Sequence, residues 1–333
     1  MKRLVSIATA CVALTIAGFA APPALAADKV NFRLDFRLSG PHIPFFWALE
    51  KGYFDHEGLD VSIKEGAGAQ QTINLIASKE DDLAIGDFLV MANSVAKGVP
   101  VKAVFGYVQR NAWAVISFAD ANLRKPQDLA GRSVAVIADH KALLELFLRT
   151  NNIAPESVTM RVVNVAVRNT VFAEGKVDSF VSQVLGSPVD FAARAIEGKG
   201  KPVDFMLFGD FGVQSLSQGL LAHREFIAQK PEVIRKFVRA TARAIKELAN
   251  PALHAEAVDI AIRRTNASVE RRESLKLQWA ETVKFVRFQE TPQQPFGWMA
   301  NKDWEDTVDV LKKTGQIEKT PPLGDLFTNE FTR

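Results

Sequence analysis

Short apolar runs recur along this chain with helical patterns between them, and that alternation limits the fold more than any other feature. The runs fall near residues 31–35, 59–64, 83–85 and 101–107 and, after a stretch read as a linker at 117–124, near 133–137, 160–165, 177–181 and 205–208. Strands of this length with helices between them are the βαβ rhythm of a largely parallel sheet, which places the chain in the α/β class. A further apolar run at 216–222 leads into long helical patterns at 231–250, 251–264 and 268–288. Pro231 and Pro251 stand in their first turns, where a missing N–H costs nothing. No internal repeat or low-complexity segment is visible.

The first residues carry a different signal. Lys2 and Arg3 precede an apolar stretch from Leu4 to Phe19, and Ala24-Leu25-Ala26 supplies a small-residue cleavage pattern. This reads as a secretion signal (residues 1–26) cut after Ala26, with export to the periplasm. The single cysteine, Cys11, lies inside that signal with a poor lipidation context, so the mature chain is expected to begin unmodified at Ala27 without disulfides or thiolate metal sites. Removing Lys2 and Arg3 lowers the formal net charge from +3 by two. A near-neutral balance with dispersed basic residues gives no reason to expect nucleic acid or an anionic membrane as partner.

The run from Asp35 to Val61, D-F-R-L-S-G-P-H-I-P-F-F-W-A-L-E-K-G-Y-F-D-H-E-G-L-D-V, reads as a strand end, a tight turn, an amphipathic helix and a second strand. His42, Phe46, Leu49 and Tyr53 fall on one helical stripe. Together with Gly98-Val99-Pro100-Val101, Lys125-Pro126-Gln127-Asp128-Leu129-Ala130-Gly131, Gly175-Lys176-Val177-Asp178 and the start at Pro231-Glu232-Val233, it resembles the NMT1/THI5-like periplasmic substrate-binding proteins, the nitrate, taurine, sulfonate and thiamine-precursor receptors of ABC importers. The resemblance implies a periplasmic-binding-protein type II-like fold. Two lobes would be joined by a double crossover hinge, lobe 1 from 27–117 and 213–333 and lobe 2 from 118–212. It further implies a monomeric receptor with no cofactor, handing a small-molecule solute to an ABC permease and its ATPase.

In open α/β sheets ligands collect at the carboxyl ends of strands, which selects the loops to inspect. After the first strand come Phe36, Arg37, Ser39 and His42, the last matching the family's histidine. After the second, Gly66 and Gly68 could admit backbone amides to an anion or simply form a turn. After the third, Asp87 could touch a ligand or cap the next helix. Asn111, Asp139, Arg168, Gln183 and Phe211 complete the candidates, near later strand ends or the lobe crossings. Phe36 stands where relatives place Trp, Leu38-Ser39 where they place Pro-Asn, and Ala138-Asp139-His140-Lys141 where anion-binding members have a Gly/Ser-rich loop. These departures favour a planar heteroaromatic or aromatic solute held by stacking over the sulfonate, taurine or nitrate alternative.

Two enzyme readings compete. Ser94-Val95-Ala96-Lys97 and Lys313-Thr314-Gly315 match two elements of serine penicillin-recognising enzymes, but Ser94 is placed late in a helix and no S-D-N occurs. The fungal members of the resembled family are pyrimidine-precursor synthases with a cysteine-rich motif, which this chain lacks. The five histidines, His42, His56, His140, His223 and His254, have no metal-ligand spacing. The expectation is therefore a binding protein with neither catalytic residues nor a metal.

Overall fold

The computed structural model describes residues 27–288 and 294–332. The expected signal, its cleavage point and Cys11 lie outside the described residues. The chain builds two five-stranded mixed sheets. The first uses β1 (Asp28–Arg33), β2 (Leu59–Lys64), β3 (Leu83–Asp87), β4 (Val101–Val108) and β10 (Gln218–His223), in the order β2-β1-β3-β10-β4. The second uses β5 (Trp113–Phe118), β6 (Ser133–Val136), β7 (Thr159–Val162), β8 (Ser179–Gln183) and β9 (Val203–Leu207), in the order β7-β6-β8-β5-β9. In each sheet four strands run in the same direction, three of them paired in parallel. The antiparallel neighbour, β10 in one and β5 in the other, is the strand that has just crossed from the opposite sheet. This is the α/β architecture with two crossings that the sequence rhythm and the resemblance led us to expect.

The first crossing comes earlier than the linker read at 117–124, which corrects the lobe boundary placed at 117/118. Trp113–Phe118 pairs with β8 and β9, so Ser117 lies inside a strand of the second sheet. The crossing occupies residues 109–112. It carries neither Gly nor Pro, and the W-A-V-I-S-F strand that follows is buried on both faces, so nothing in the local composition marks the transfer.

Ten helices of eight residues or more are present among the described residues: α1 (Ile43–Glu50), α2 (Ala69–Ala77), α3 (Phe88–Ala96), α4 (Lys141–Thr150), α5 (Val165–Ala173), α6 (Ser187–Ile196), α7 (Pro231–Glu247), α8 (His254–Thr265), α9 (Arg272–Lys284) and α10 (Asn301–Lys313). Helix α1 differs from the amphipathic reading. Ile43 to Ala48 are all buried, because α7, α8 and the first sheet enclose it. Gly52, at φ +69°, then breaks the helix, so Tyr53 opens a separate turn and the four-residue stripe is interrupted. On α7, Val233, Ile234, Phe237, Val238, Thr241, Ala244 and Ile245 recur at three- and four-residue spacing and form its buried face. Phe237 meets Phe32 of β1 at 4.9 Å and stacks on Phe54 at 4.8 Å, welding the late helices to the first sheet.

Candidate functional site

The carboxyl ends of β1, β3 and β8 converge on a small cleft between the sheets, with a cavity of about 170 Å³. Asp35, Phe36, Ser39 and His42 border it from the first sheet's side, Ser182, Gln183 and Ser187 from the second, and Gln218 from the start of β10. A larger cavity of about 620 Å³ lies at the hinge between β9 and the end of α9, lined by Arg110, Asn111, Asp204 and Lys284 among others. The smaller one is the better candidate, because it gathers polar side chains that follow the carboxyl ends of β1 and β8, one from each sheet, where this kind of fold presents groups to a ligand.

The 35–42 turn is braced from every side. The Ser39 N–H donates to His42 Nδ1 at 3.1 Å, so the ring proton sits on Nε2, which donates to Asp35 Oδ1 at 2.6 Å. The ring is 1 % exposed, and this arrangement leaves neither nitrogen for a ligand. The family's histidine thus acts here by holding Asp35 and the turn in place. Around it, Glu65 accepts the Leu38 N–H at 2.7 Å, Gln278 accepts the Gly40 N–H at 2.9 Å, and Arg271 donates to the Leu38 carbonyl at 2.8 Å. Phe36 projects from this rigid turn with 53 % of its surface exposed, and Arg37 beside it is also exposed.

Asp87 takes the capping role and also reaches the second sheet. Oδ1 accepts the Val90 N–H at 2.9 Å and caps α3, while Oδ2 accepts Gln183 Nε2 at 2.9 Å across the cleft. Burial, helped by the neighbouring Asp35 charge, pushes its carboxyl up to about 6 from 3.8. The folded chain therefore holds this proton more tightly than the unfolded chain. The resulting stability is full below about pH 4 and is lost as pH rises through 6. Asp87→Asn keeps the cap and removes the charge. It is expected to raise the unfolding free energy at pH 7.5 by on the order of 2 kcal/mol, with the difference vanishing near pH 4 in urea titrations. A constant offset across that range would refute this account of Asp87.

Other candidates fall elsewhere. Gly66 and Gly68 do not offer amides to an anion, since their N–H groups are bound to Phe36 O (3.3 Å) and Asp35 O (2.9 Å). Asn111 ties the two crossings together instead, donating to Val213 O at 2.7 Å and accepting the Trp113 N–H at 2.9 Å. Phe211 packs edge-on against Phe147 at 6.2 Å, in the second lobe's own core and away from the cleft. Asp139 lies in the turn Ala138–His140 ahead of α4. Arg168 is 5 % exposed behind the cleft wall and donates to Ser187 Oγ at 3.3 Å and Val181 O at 3.3 Å. His140, held down to about 4 by burial and by the Arg168 charge, is neutral and packs on Trp113 at 4.1 Å.

The sequence reading missed Asp35, Ser182, Ser187 and Gln218 as cleft residues. Two had a usable signal: Asp35 stands at a fixed seven-residue spacing from His42, and Gly186-Ser187-Pro188 is a helix-start signature after a strand. The enzyme motif finds no support in geometry. Ser94 sits late in α3 and donates to Val90 O, and Gly315 is the left-handed stop after α10, not part of a strand. Among the described residues no group of three His, Cys, Asp or Glu could hold a metal ion, and no helix is long and apolar enough to cross a membrane.

The family model described as NMT1/THI5 like matches residues 39–253. The riboflavin-binding protein RibY of Chloroflexus aurantiacus is 24 % identical over 98 % of this chain and 95 % of its own length. The 4-amino-5-hydroxymethyl-2-methylpyrimidine phosphate synthase THI13 of Saccharomyces cerevisiae is 25 % identical over 66 % of this chain and 67 % of its own. Among solved structures, the periplasmic aliphatic sulphonate binding protein SsuA from Escherichia coli superposes with a TM-score of 0.65 at 14 % identity, covering 88 % of this chain and 94 % of that one. Its fold is therefore shared with a binding protein, and by the extent of the family match this chain is a member of the NMT1/THI5-like family.

Proposed function

We propose that this chain is an extracytoplasmic solute receptor of an ABC importer, closing two lobes around a small organic, heteroaromatic or aromatic solute. The observation that carries the reading is the hydrogen bond to Asp87 from Gln183, a residue of the cavity wall, which joins the strand ends of the two sheets. A solute that replaced this contact would report its presence as a change in lobe closure, which is what a permease can sense. The apolar stretch at residues 4–19 supports export, and the riboflavin-binding relative supports a ring-bearing solute. A cavity of about 170 Å³ lies below the 300–1,000 Å³ of drug-sized sites. It suits a single ring. The synthase chemistry of the yeast relative is a weaker reading, because no cysteine follows Cys11.

A thermal-shift screen with single-ring heteroaromatic and aromatic solutes tests the proposal, since ligand at a hundred times its Kd adds about 2.7 kcal/mol of stability. A melting temperature unmoved by every solute, together with turnover of an aminopyrimidine precursor, would defeat it. Phe36 supplies a sharper arm. Its exposure means that Phe36→Ala should alter unfolding free energy by no more than about 0.5 kcal/mol. Loss of its stacking surface should remove about 1–3 kcal/mol of affinity, roughly five- to a hundred-fold by calorimetric titration, with Phe36→Trp retaining binding.

A further inference from the structure

One polar stripe of α9 touches both lobes. Arg271 at its start, Ser274 and Gln278 follow one another at helical spacing and so share a side of the helix. Toward lobe 1, Arg271 donates to Leu38 O at 2.8 Å and Gln278 Oε1 accepts the Gly40 N–H at 2.9 Å. The approach is close. A Cβ on Gly40 would stand 2.4 Å from the Gln278 carbonyl carbon and 2.6 Å from the Trp279 nitrogen, so only a glycine brings the cleft turn this near to a helix backbone.

A backbone N–H can only donate, so the Gly40 contact fixes the orientation of the Gln278 carboxamide, which is 2 % exposed. Its NH2 group faces the other way. There it donates to Asp190 Oδ1 of α6 at 2.9 Å and to Ser274 Oγ at 3.2 Å, and Ser274 Oγ donates in turn to the same Asp190 oxygen. Asp190 belongs to lobe 2, on a helix that starts beside the cavity at Ser187. Among the described residues no cation pairs with it, and its charge strengthens the bonds from these two neutral donors.

We propose that Gln278 is a positioning residue through which lobe 2 sets the order of the cleft turn. When α6 draws away from α9, Nε2 loses Asp190, the carboxamide is free to rotate, and the Gly40 N–H loses its acceptor with it. Lobe engagement and turn order then form one transition, and a solute that favours engagement also orders the turn that carries Asp35 and Phe36. The inference builds on the receptor reading and adds the means by which the two lobes communicate.

Two readouts on the mature full-length chain test it, and neither uses a solute. One is amide exchange at Gly40 followed by NMR, with the β1 amides as reference. The other is the distance between spin labels on Val269→Cys of lobe 1 and Ile196→Cys of lobe 2, both exposed; no cysteine follows Cys11, so the labels go only there. Asp190→Ala lies across the cleft from Gly40, yet should speed Gly40 exchange about fivefold or more relative to the β1 amides and lengthen the label distance. Gln278→Glu keeps an acceptor for Gly40 but sets a carboxylate against Asp190, and should lengthen the distance as well. Adding Asp190→Asn to Gln278→Glu supplies a new donor and should return the distance to that of the parent. Gly40 exchange within twofold of the parent in Asp190→Ala, a rise shared equally by the β1 amides, or a distance that Asp190→Asn does not restore overturns the inference and leaves the receptor reading standing. Coupling observed in a chain that binds no solute would uphold the inference and remove the receptor reading instead.

Discussion

Trp279→Ala is expected to remove about 3–5 kcal/mol of stability, the cost of emptying a fully enclosed tryptophan site. Trp279 is 0 % exposed, its Nε1 donates to Leu248 O at 2.9 Å, and the His254 ring meets it edge-on at 6.2 Å. The effect should extend beyond folding. Trp279 anchors α9, and the adjacent Gln278 accepts the Gly40 N–H in the cleft turn while donating to Asp190 on α6 at 2.9 Å. One helix thus holds the cleft from both lobes. Chemical denaturation should show the loss, and solute affinity measured on the folded fraction should fall with it; a destabilisation below about 1 kcal/mol would mean that the site collapses around the gap.

Gly66→Ala should have the largest effect on binding. A Cβ there would stand 2.2 Å from the Leu34 carbonyl oxygen and 2.9 Å from the Asp35 carbonyl carbon, and both obstacles are backbone, so the 34–36 segment must move. Overpacking of this kind costs about 1–3 kcal/mol of stability. Binding should suffer more, because Asp35, Phe36 and the His42 brace all hang on that segment. The loss of two or three contacts worth about 1 kcal/mol each multiplies to roughly a hundredfold. Gly68→Ala makes a useful contrast: a Cβ there meets nothing, and only its backbone, at φ +134°, resists substitution. Equal ligand affinities for parent and Gly66→Ala in titration would show that the turn does not position the site.

These residues also show what a sequence can and cannot convey. The strand and helix alternation was legible because each element buries its own periodic face, and β2 and the start of α7 stand where the pattern put them. Asp87 and Gln183 were legible as strand-end residues, but that they meet across the cleft depends on how two sheets dock, which no local pattern encodes. Gly66 announced an unusual backbone but not its cause: a tight approach to the neighbouring loop looks the same in sequence as an anion cradle. His42 was found by spacing, yet its task is set by the tautomer that the Ser39 amide imposes. Asn111 and Phe211 were near the crossings in sequence and were drawn into hinge and core by contacts more than sixty residues apart or into another helix. Arg168 was chosen for position alone; its burial without a counter-ion appears only in three dimensions.

The two crossings leave the second sheet as one uninterrupted length of chain, from Trp113 to Leu207, inserted into a lobe made from both ends of the sequence. Its entrance and exit are neighbours: Ala114 pairs with Leu207, and Asn111 grips both connecting strands. An element with adjoining termini is a cassette. Genetically it can be exchanged, duplicated or diversified as a unit with only two junctions to repair, so the side of the cleft that carries Ser182, Gln183 and Ser187 is free to change its chemistry while the side carrying Asp35 and His42 stays fixed. Lineages built on this plan can acquire new solutes by altering one contiguous stretch, leaving the surface formed by the other lobe as it was.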